Sequence, residues 1–299
     1  MSDALRVAVV GTGRMGGAMA ARVAAAGHAL TVYNRTRASA ERVAAACPGE
    51  VAVVGTAREA AAGADVVVVS LADDDAVRAT YAGDDGLVAG LRPGAVVADT
   101  STVAPGTVRA LEADVRATGA LLADTPVSGS VSSVEGGTLL VMAGGPDEAV
   151  ARATPALEAF AQRVIHLGPL GAGATMKLAV NAMVFGINQT LAEALVLAER
   201  SGIARDLAYE VIAGSAVAAP FVHYKRAAFE HPGSAPVAFA LDLVAKDLDL
   251  ARALAAEVGA PVPQVEVNRR VVGDALAGGR GAEDLSAVAQ HLRSLAAGG

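Results

Sequence analysis

The chain has little from which to build a disulfide or a metal site. Its one cysteine, Cys47, cannot pair internally, and the five histidines, His28, His166, His223, His231 and His291, show no metal-ligand spacing. No metal is expected. Positive charge is also in short supply: 24 basic residues against 31 acidic ones give a formal charge of −7, which leaves no broad basic field for nucleic acid phosphates. Charged types are only 18% and hydrophobic types 53%, a balance too apolar for a disordered protein. The beginning, MSDALRVAVVG, carries an acid at Asp3 and runs straight into a strand, without the cationic start and apolar run of a signal peptide. A cytoplasmic protein is expected. The longest greasy stretch, Met176 to Ala198, is interrupted by Asn181, Asn188, Gln189 and Glu193, and reads as a buried helix rather than a membrane span.

A length of 299 residues predicts two domains. Residues 1–165 alternate short β-branched runs (LRVAVV, ALTVY, ADVVVVSL, GAVVADT, GALLADTP, TLLVMAGG) with alanine-rich helical stretches. Apolar runs such as Val66 to Val69 suit strands buried on both faces, as in a parallel sheet covered by helices, so this half reads as a doubly wound α/β domain of the Rossmann type. From Gly171 the strand signal gives way to helical periods, starting with a helix of roughly 30 residues that ends near Ser201-Gly202. Residues 166–299 therefore read as an all-helical domain, divided by Pro220, His231-Pro232-Gly233, Pro236, the 259–263 segment and Gly278-Gly279.

Directly after LRVAVV comes Gly11-Thr12-Gly13-Arg14-Met15-Gly16, a GxGxxG that opens a helix. In a dinucleotide fingerprint the first glycine allows the tight turn, the second lets the pyrophosphate approach the backbone, and the third lets helix and strand pack closely. The motif alone is weak in a chain with 33 glycines, but its place after the first strand, with ALTVY following at the expected distance, favours the fingerprint over a plain turn. Where NAD enzymes usually carry an acid for the ribose hydroxyls, at the end of that second strand, the chain has Asn34-Arg35-Thr36 and then Arg37. A guanidinium and a hydroxyl fit a 2′-phosphate, which predicts NADP(H) over NAD(H). The same arginines also fit an ordinary solvated loop.

Basic residues are 21 arginines and only three lysines, Lys177, Lys225 and Lys246. Arginine cannot release its proton at ordinary pH, whereas a lysine in a dry site can. Lys177 sits near the start of the long apolar helix, where burial and the positive helix end would lower its pKa, and Asn181 follows one turn later on the same face. Two readings remain open on these residues alone: a proton-transfer group, or a lysine snorkelling out of an apolar helix.

Four segments, GTGRMGGAMA from Gly11, DTPVSGS from Asp124, GPLGAGATMKLAVN from Gly168 and KDLDLA from Lys246, stand in one order along essentially the whole chain. Together they resemble the β-hydroxyacid dehydrogenases, also called the 3-hydroxyisobutyrate dehydrogenase family. The resemblance implies an NADP-binding Rossmann domain, a long interdomain helix and an all-α domain for substrate and dimerisation, assembled as a homodimer or tetramer. It makes Lys177 the catalytic acid/base with Asn181 assisting, and Ser128-Gly129-Ser130 the anchor for a substrate carboxylate. Leu71, Ala72, Ser101 and Thr102 go with the cofactor, and Lys246 would contact it from the second domain.

Asn34-Arg35-Thr36 and FALDLVAKDL look more like the NADPH-dependent glyoxylate and succinic semialdehyde reductases, in which residues matching Phe239 and Asp247 enclose the substrate. The expected function is thus reduction of a small carboxylate-bearing aldehyde to its hydroxy acid. Alternatives are a 3-hydroxyisobutyrate-type dehydrogenase, an imine reductase and a non-catalytic dinucleotide-binding scaffold; Lys177 argues against the last two. The stretch VSSVEGG after Ser130 departs from the small, alanine-bearing pattern of the family.

Overall fold

The computed structural model describes residues 4–297, so Asp3 lies outside the described residues. The chain divides into two compact units, Met1–Lys177 and Leu178–Gly299. In the first, strands β1 (Arg6–Val10), β2 (Ala29–Tyr33), β3 (Val51–Val53), β4 (Val66–Val69), β5 (Val96–Asp99) and β6 (Leu121–Asp124) form a parallel sheet in the order β3-β2-β1-β4-β5-β6. Val9 of β1 lies between Val32 of β2 and Val68 of β4. Successive side chains point to opposite faces, so Val66 and Val68 enter one apolar cluster while Val67 and Val69 enter the other. That is why the run is valine throughout.

Helices α1 (Arg14–Ala25) and α2 (Arg37–Ala46) cover the first face. Helices α3 (Ala57–Ala61), α4 (Asp74–Tyr81), α5 (Leu87–Gly90) and α6 (Pro105–Ala117) cover the second. This is the Rossmann arrangement of crossover helices on both sides of a parallel sheet. Beyond β6 the chain builds a separate three-stranded sheet from β7 (Val127–Ser128), β8 (Leu139–Ala143) and β9 (Ala161–His166), with α7 (Val131–Glu135) and α8 (Asp147–Leu157) between them. The run TLLVMAGG thus belongs to this second sheet, where β8 pairs antiparallel with β7 and parallel with β9. Strand β9 escapes a search for apolar runs because Gln162 and Arg163 are exposed.

Helix α9 (Ala172–Arg200) begins in the first unit and continues into the second. It ends where Gly202 takes a φ of 88°, a left-handed geometry that glycine adopts without strain. After it come α10 (Arg205–Ala213), α11 (Pro220–Glu230), α12 (Leu241–Val258), α13 (Pro263–Ala277), a 3-10 turn at Leu285–Ala287 and α14 (Val288–Ala297). Pro220 and Pro263 each occupy a first-turn position, where a missing N–H costs nothing. Leu178, Phe185, Leu191 and Leu195 of α9 pack with Tyr209, Phe229, Leu241 and Leu248 as the core of the second unit.

By length and composition α9 could cross a membrane. Of its polar interruptions the three amides, Asn181, Asn188 and Gln189, are nevertheless buried inside the helical unit while Glu193 is exposed: Asn188 Nδ2 donates to the Leu285 carbonyl at 3.0 Å and Gln189 Nε2 to Glu193 at 2.6 Å. These amides face protein, whereas Met183 and Leu197 of the same helix are exposed, so the expected burial holds for one side of α9 only.

Candidate active site

At the C-terminal edge of the parallel sheet a cleft of about 600 Å³ opens between the ends of β1 and β4. Gly11, Gly13, Asn34, Arg35, Thr36, Leu71 and Ala72 all line it. Gly11 has a φ of 95°, and a Cβ there would lie 2.2 Å from the Ser70 carbonyl oxygen; one on Gly16 would lie 2.0 Å from the Gly11 oxygen. These two glycines are required by the turn and by close packing. At Gly13 a Cβ would meet no protein atom within 4 Å, so its backbone faces open space at the first turn of α1. That turn carries no acidic residue and no side-chain cap. Its N–H groups suit a phosphate, and the site fits a dinucleotide.

Asn34 has a structural part in this cleft. Its Oδ1 accepts the Thr12 N–H at 3.0 Å and its Nδ2 donates to the Thr36 carbonyl at 3.1 Å, which ties the end of β2 to the glycine turn. Arg37 is engaged by Glu41 at 2.8 Å, while Arg35 is exposed on the cleft wall. Thr12 and Arg14 line an adjacent depression, and Met15 packs against the core. Ser101 is buried; its Oγ accepts the Leu71 N–H at 3.0 Å and so supports the cleft from beneath. Thr102 beside it is half-buried. Asp84 and Asp85, unremarked in the sequence reading, line the same cleft as Arg35.

The segment after β6 and the start of α9 meet at one carboxylate. Asp124 is 1% exposed; its Oδ1 accepts the Gly171 N–H at 2.8 Å and its Oδ2 the Ala174 N–H at 2.6 Å. Burial pushes this carboxyl up to about 6, against the lowering effect of the backbone donors, and Asp99 nearby adds to the rise. Burial likewise raises Asp99, which takes hydrogen bonds from Tyr81 at 2.8 Å and from the Ser101 N–H at 2.9 Å. Downstream of Asp124, Ser128 ends β7, Gly129 turns with a φ of 137°, and Ser130 caps α7. Ser130 Oγ lies 2.8 Å from Ser132 Oγ and 3.5 Å from Ser133 Oγ. Lys177 is half-buried on the second turn of α9, three residues beyond Ala174.

In the helical unit, Asn181 Nδ2 donates to Asp247 Oδ2 at 2.6 Å, and Lys246 Nζ lies 2.8 Å from Asp247 Oδ1. Asp247 is buried at 1% exposure; Asn181 occupies its Oδ2, while its Oδ1 has the Lys246 ammonium beside it but no hydrogen bond. Phe239 is half-buried, with its ring centroid 5.9 Å from that of Phe185. Phe185 stands one turn after Asn181 on α9. The helical unit thus assembles Asn181, Lys246, Asp247, Phe185 and Phe239 around one stretch of helix.

Residues 6–168 match the family described as the NAD binding domain of 6-phosphogluconate dehydrogenase, and residues 171–292 match the NAD-binding domain of NADP-dependent 3-hydroxyisobutyrate dehydrogenase. The 3-sulfolactaldehyde reductase of Escherichia coli is 34% identical over 287 residues, 96% of this chain and 95% of that protein. The chain belongs to the β-hydroxyacid dehydrogenase family. Among solved relatives, 3-hydroxyisobutyrate dehydrogenase of Mycobacterium tuberculosis with L-serine superposes with a TM-score of 0.83 at 32% identity, covering 97% of this chain and 99% of that one. The NAD-dependent L-serine dehydrogenase of Pseudomonas aeruginosa is 34% identical over 207 residues, 69% of this chain and 68% of its own.

As a β-hydroxyacid dehydrogenase the chain is an NAD(P)-dependent oxidoreductase acting on hydroxyl groups of small hydroxy acids. Several residues of its site carry no signal in a motif search. Asp124 stands inside DTPVSGS, yet its bonds to Gly171 and Ala174 span 47 and 50 residues of sequence and exist only in the fold. Ser132 and Ser133 lie in the departure VSSVEGG, whose small polar residues were the available hint of hydroxyls gathered around Ser130.

Proposed function

We propose that this β-hydroxyacid dehydrogenase is an NADPH-dependent reductase of small carboxylate-bearing aldehydes, such as glyoxylate or succinic semialdehyde, giving the hydroxy acid and running reversibly. The observation that carries the reading is the Asp124 clamp: one buried carboxylate joins the segment leading to Ser128-Gly129-Ser130 to the first turn of the helix bearing Lys177. A substrate held at one end by its carboxylate would then meet a proton donor at a fixed place.

Bound NADPH supplies the hydride that goes to the aldehyde carbon. Ser128 and Ser130, with the Gly129 backbone, hold the carboxylate and orient the carbonyl. Lys177, as ammonium, gives its proton to the oxygen as negative charge grows there, and takes a proton back from solvent. In the oxidative direction the neutral amine removes the hydroxyl proton. Asn181 assists Lys177, with its own amide oriented by Asp247. Gly11, Thr12, Gly13, Arg14, Met15 and Gly16 form the phosphate turn, with Leu71, Ala72, Ser101 and Thr102 along the cofactor and Lys246 reaching it from the helical domain. Arg35 and Thr36 take the 2′-phosphate, and no acid occupies the end of β2 to repel it. Residues 1–165 have the cofactor role and also carry the Ser128-Gly129-Ser130 anchor, and residues 166–299 have the remaining substrate and oligomer roles.

The test is a spectrophotometric screen of NADPH and NADH oxidation with glyoxylate, succinic semialdehyde, methylmalonate semialdehyde, 3-sulfolactaldehyde and a cyclic imine, with L-serine and 3-hydroxyisobutyrate in the oxidative direction. A carboxylate aldehyde should turn over fastest, with NADPH. Fastest turnover of the imine would transfer the chain to the imine reductases, and no turnover of any compound would favour a non-catalytic role.

A further inference from the structure

Lys225 and Asp284 have no part in the chemistry above, yet they form a buried ion pair in a chain with only three lysines. Lys225 Nζ lies 2.7 Å from both Asp284 oxygens, and the side chains are 4% and 11% exposed. A single compact ammonium reaches both oxygens where the wider guanidinium fork would need more room. Burial by itself would raise the Asp284 carboxyl; the hydrogen bond and charge of Lys225, with backbone donors, outweigh it and hold the group below the usual carboxylate range.

What the carboxylate does besides meeting Lys225 is hold backbone. Its Oδ2 accepts the N–H of Ala238 at 2.8 Å and of Phe239 at 3.3 Å, while its Oδ1 accepts that of Ser286 at 3.1 Å. Around it the chain makes a short bridge: the Leu285 N–H donates to the Phe239 carbonyl at 2.8 Å and the Leu241 N–H to the Glu283 carbonyl at 3.0 Å. The bridge is tied in turn to α9, because Asn188 Nδ2 donates to the Leu285 carbonyl at 3.0 Å. Phe239 thus emerges from a loop containing Pro232, Gly233 and Pro236 with its backbone fixed on both sides, its ring against Phe185 one turn from Asn181.

We propose that Lys225 and Asp284 are positioning residues for Phe239 and so set the selectivity of the site for its substrate, a role that rests on reading Phe239 as a substrate-enclosing side chain. A polar pair buried this deeply is satisfied only in one arrangement, so it selects a single place for the loop rather than adding an attraction that tolerates several.

A double-mutant cycle in the full-length enzyme tests this, with the fastest aldehyde of the screen as probe at saturating NADPH. Phe239→Ala and Asp284→Asn should each raise KM at least about fivefold with kcat within about twofold, and the pair together should raise it no further than Phe239→Ala alone. Effects that multiply, or an Asp284→Asn enzyme with lowered melting temperature and unchanged KM, would leave the pair a purely structural one and overturn the proposal.

The chain has no tryptophan, so Phe239→Trp provides a lone fluorescent reporter. Its emission should move to the red when Asp284→Asn is added. A red shift with no change of KM in Phe239→Ala would mean that the anchoring exists but Phe239 does not enclose substrate, whereas no shift beside a raised KM in Phe239→Ala would overturn the anchoring alone. Should Asp284→Asn fail to fold, Lys225→Met leaves the carboxylate and its backbone donors in place and carries the same cycle, with the same direction and a smaller change.

Discussion

If Lys177 moves a proton, its charge alone is not enough. Lys177→Ala should lower kcat at least about a hundredfold while NADPH binding stays nearly intact, because general acid/base groups contribute about 10² to 10⁴ in rate. Lys177→Arg should be almost as damaging, since guanidinium keeps the charge but is a poor proton donor at neutral pH. An arginine variant that kept most of the activity would make Lys177 a binding residue. Arg35 carries the expectation about the cofactor: a charge-assisted contact to phosphate is worth roughly 1.5 to 3 kcal/mol, so kcat/KM should favour NADPH over NADH by at least about tenfold, and Arg35→Ala should erode the preference. Asp84 and Asp85 line the same cleft and their charge would work against a 2′-phosphate, so substitution of both to Asn should strengthen the preference. Equal use of both cofactors by the wild type would sink the reading of Arg35. Lys177 stood out in the sequence through the rarity of lysine, whereas no local pattern marks Asp84 and Asp85 as neighbours of the cleft.

At the scale of one element, the start of α9 is where the fold fixes the turn that precedes Lys177. Gly173 passes so close to β8 that a Cβ would lie 2.3 Å from the Met142 carbonyl oxygen and 2.9 Å from Asp124 Oδ2. Gly173→Ala should therefore lower the melting temperature by several degrees and reduce kcat, because the turn that must shift is the one preceding Lys177. Asp124 adds a pH dependence with a definite sign. Its folded carboxyl, at about 6, binds a proton more tightly than the same carboxyl in the unfolded chain, where the ordinary value of about 3.8 applies. The stability it contributes is therefore full below about pH 4 and is lost as pH rises through about 6. Asp124→Asn keeps one acceptor, sets an amide NH₂ against the second backbone N–H, and does not titrate. The advantage of wild type over this variant in denaturant unfolding should shrink by about 1 to 2 kcal/mol between about pH 5 and pH 7.5; a constant gap would show that the carboxyl titrates near its ordinary value. The length of α9 was legible from its apolar period and its glycine terminator. Its clamp was not, because no local pattern pairs residue 124 with residues 171 and 174.

For the whole molecule, the question is what covers α9. Met183 and Leu197 are each 70% exposed, and with Thr190 between them they recur every seven residues along one side of the helix; Leu207 and Val211 of α10 are 56% and 72% exposed. A second copy of the chain is the expected cover, so light scattering across micromolar concentrations should give a dimer or tetramer mass, and Met183→Glu with Leu197→Glu should lower it. A monomer mass for the wild type would contradict this. By itself the sequence determined the Rossmann unit, the helical unit and the glycine turn, because those follow from local periods and from glycines whose backbone no other residue could adopt. It also singled out Lys177 and Asn181 as a pair, since four residues on a helix make one face. Only the tertiary structure decided that TLLVMAGG builds a second sheet, that Asp124 joins the serine segment to α9, and that Asp247 meets Asn181 and Lys246. The reason is physical: a buried carboxylate is satisfied by whichever donors the fold brings within 3 Å, and donors tens of residues away leave no trace in the spacing of the sequence.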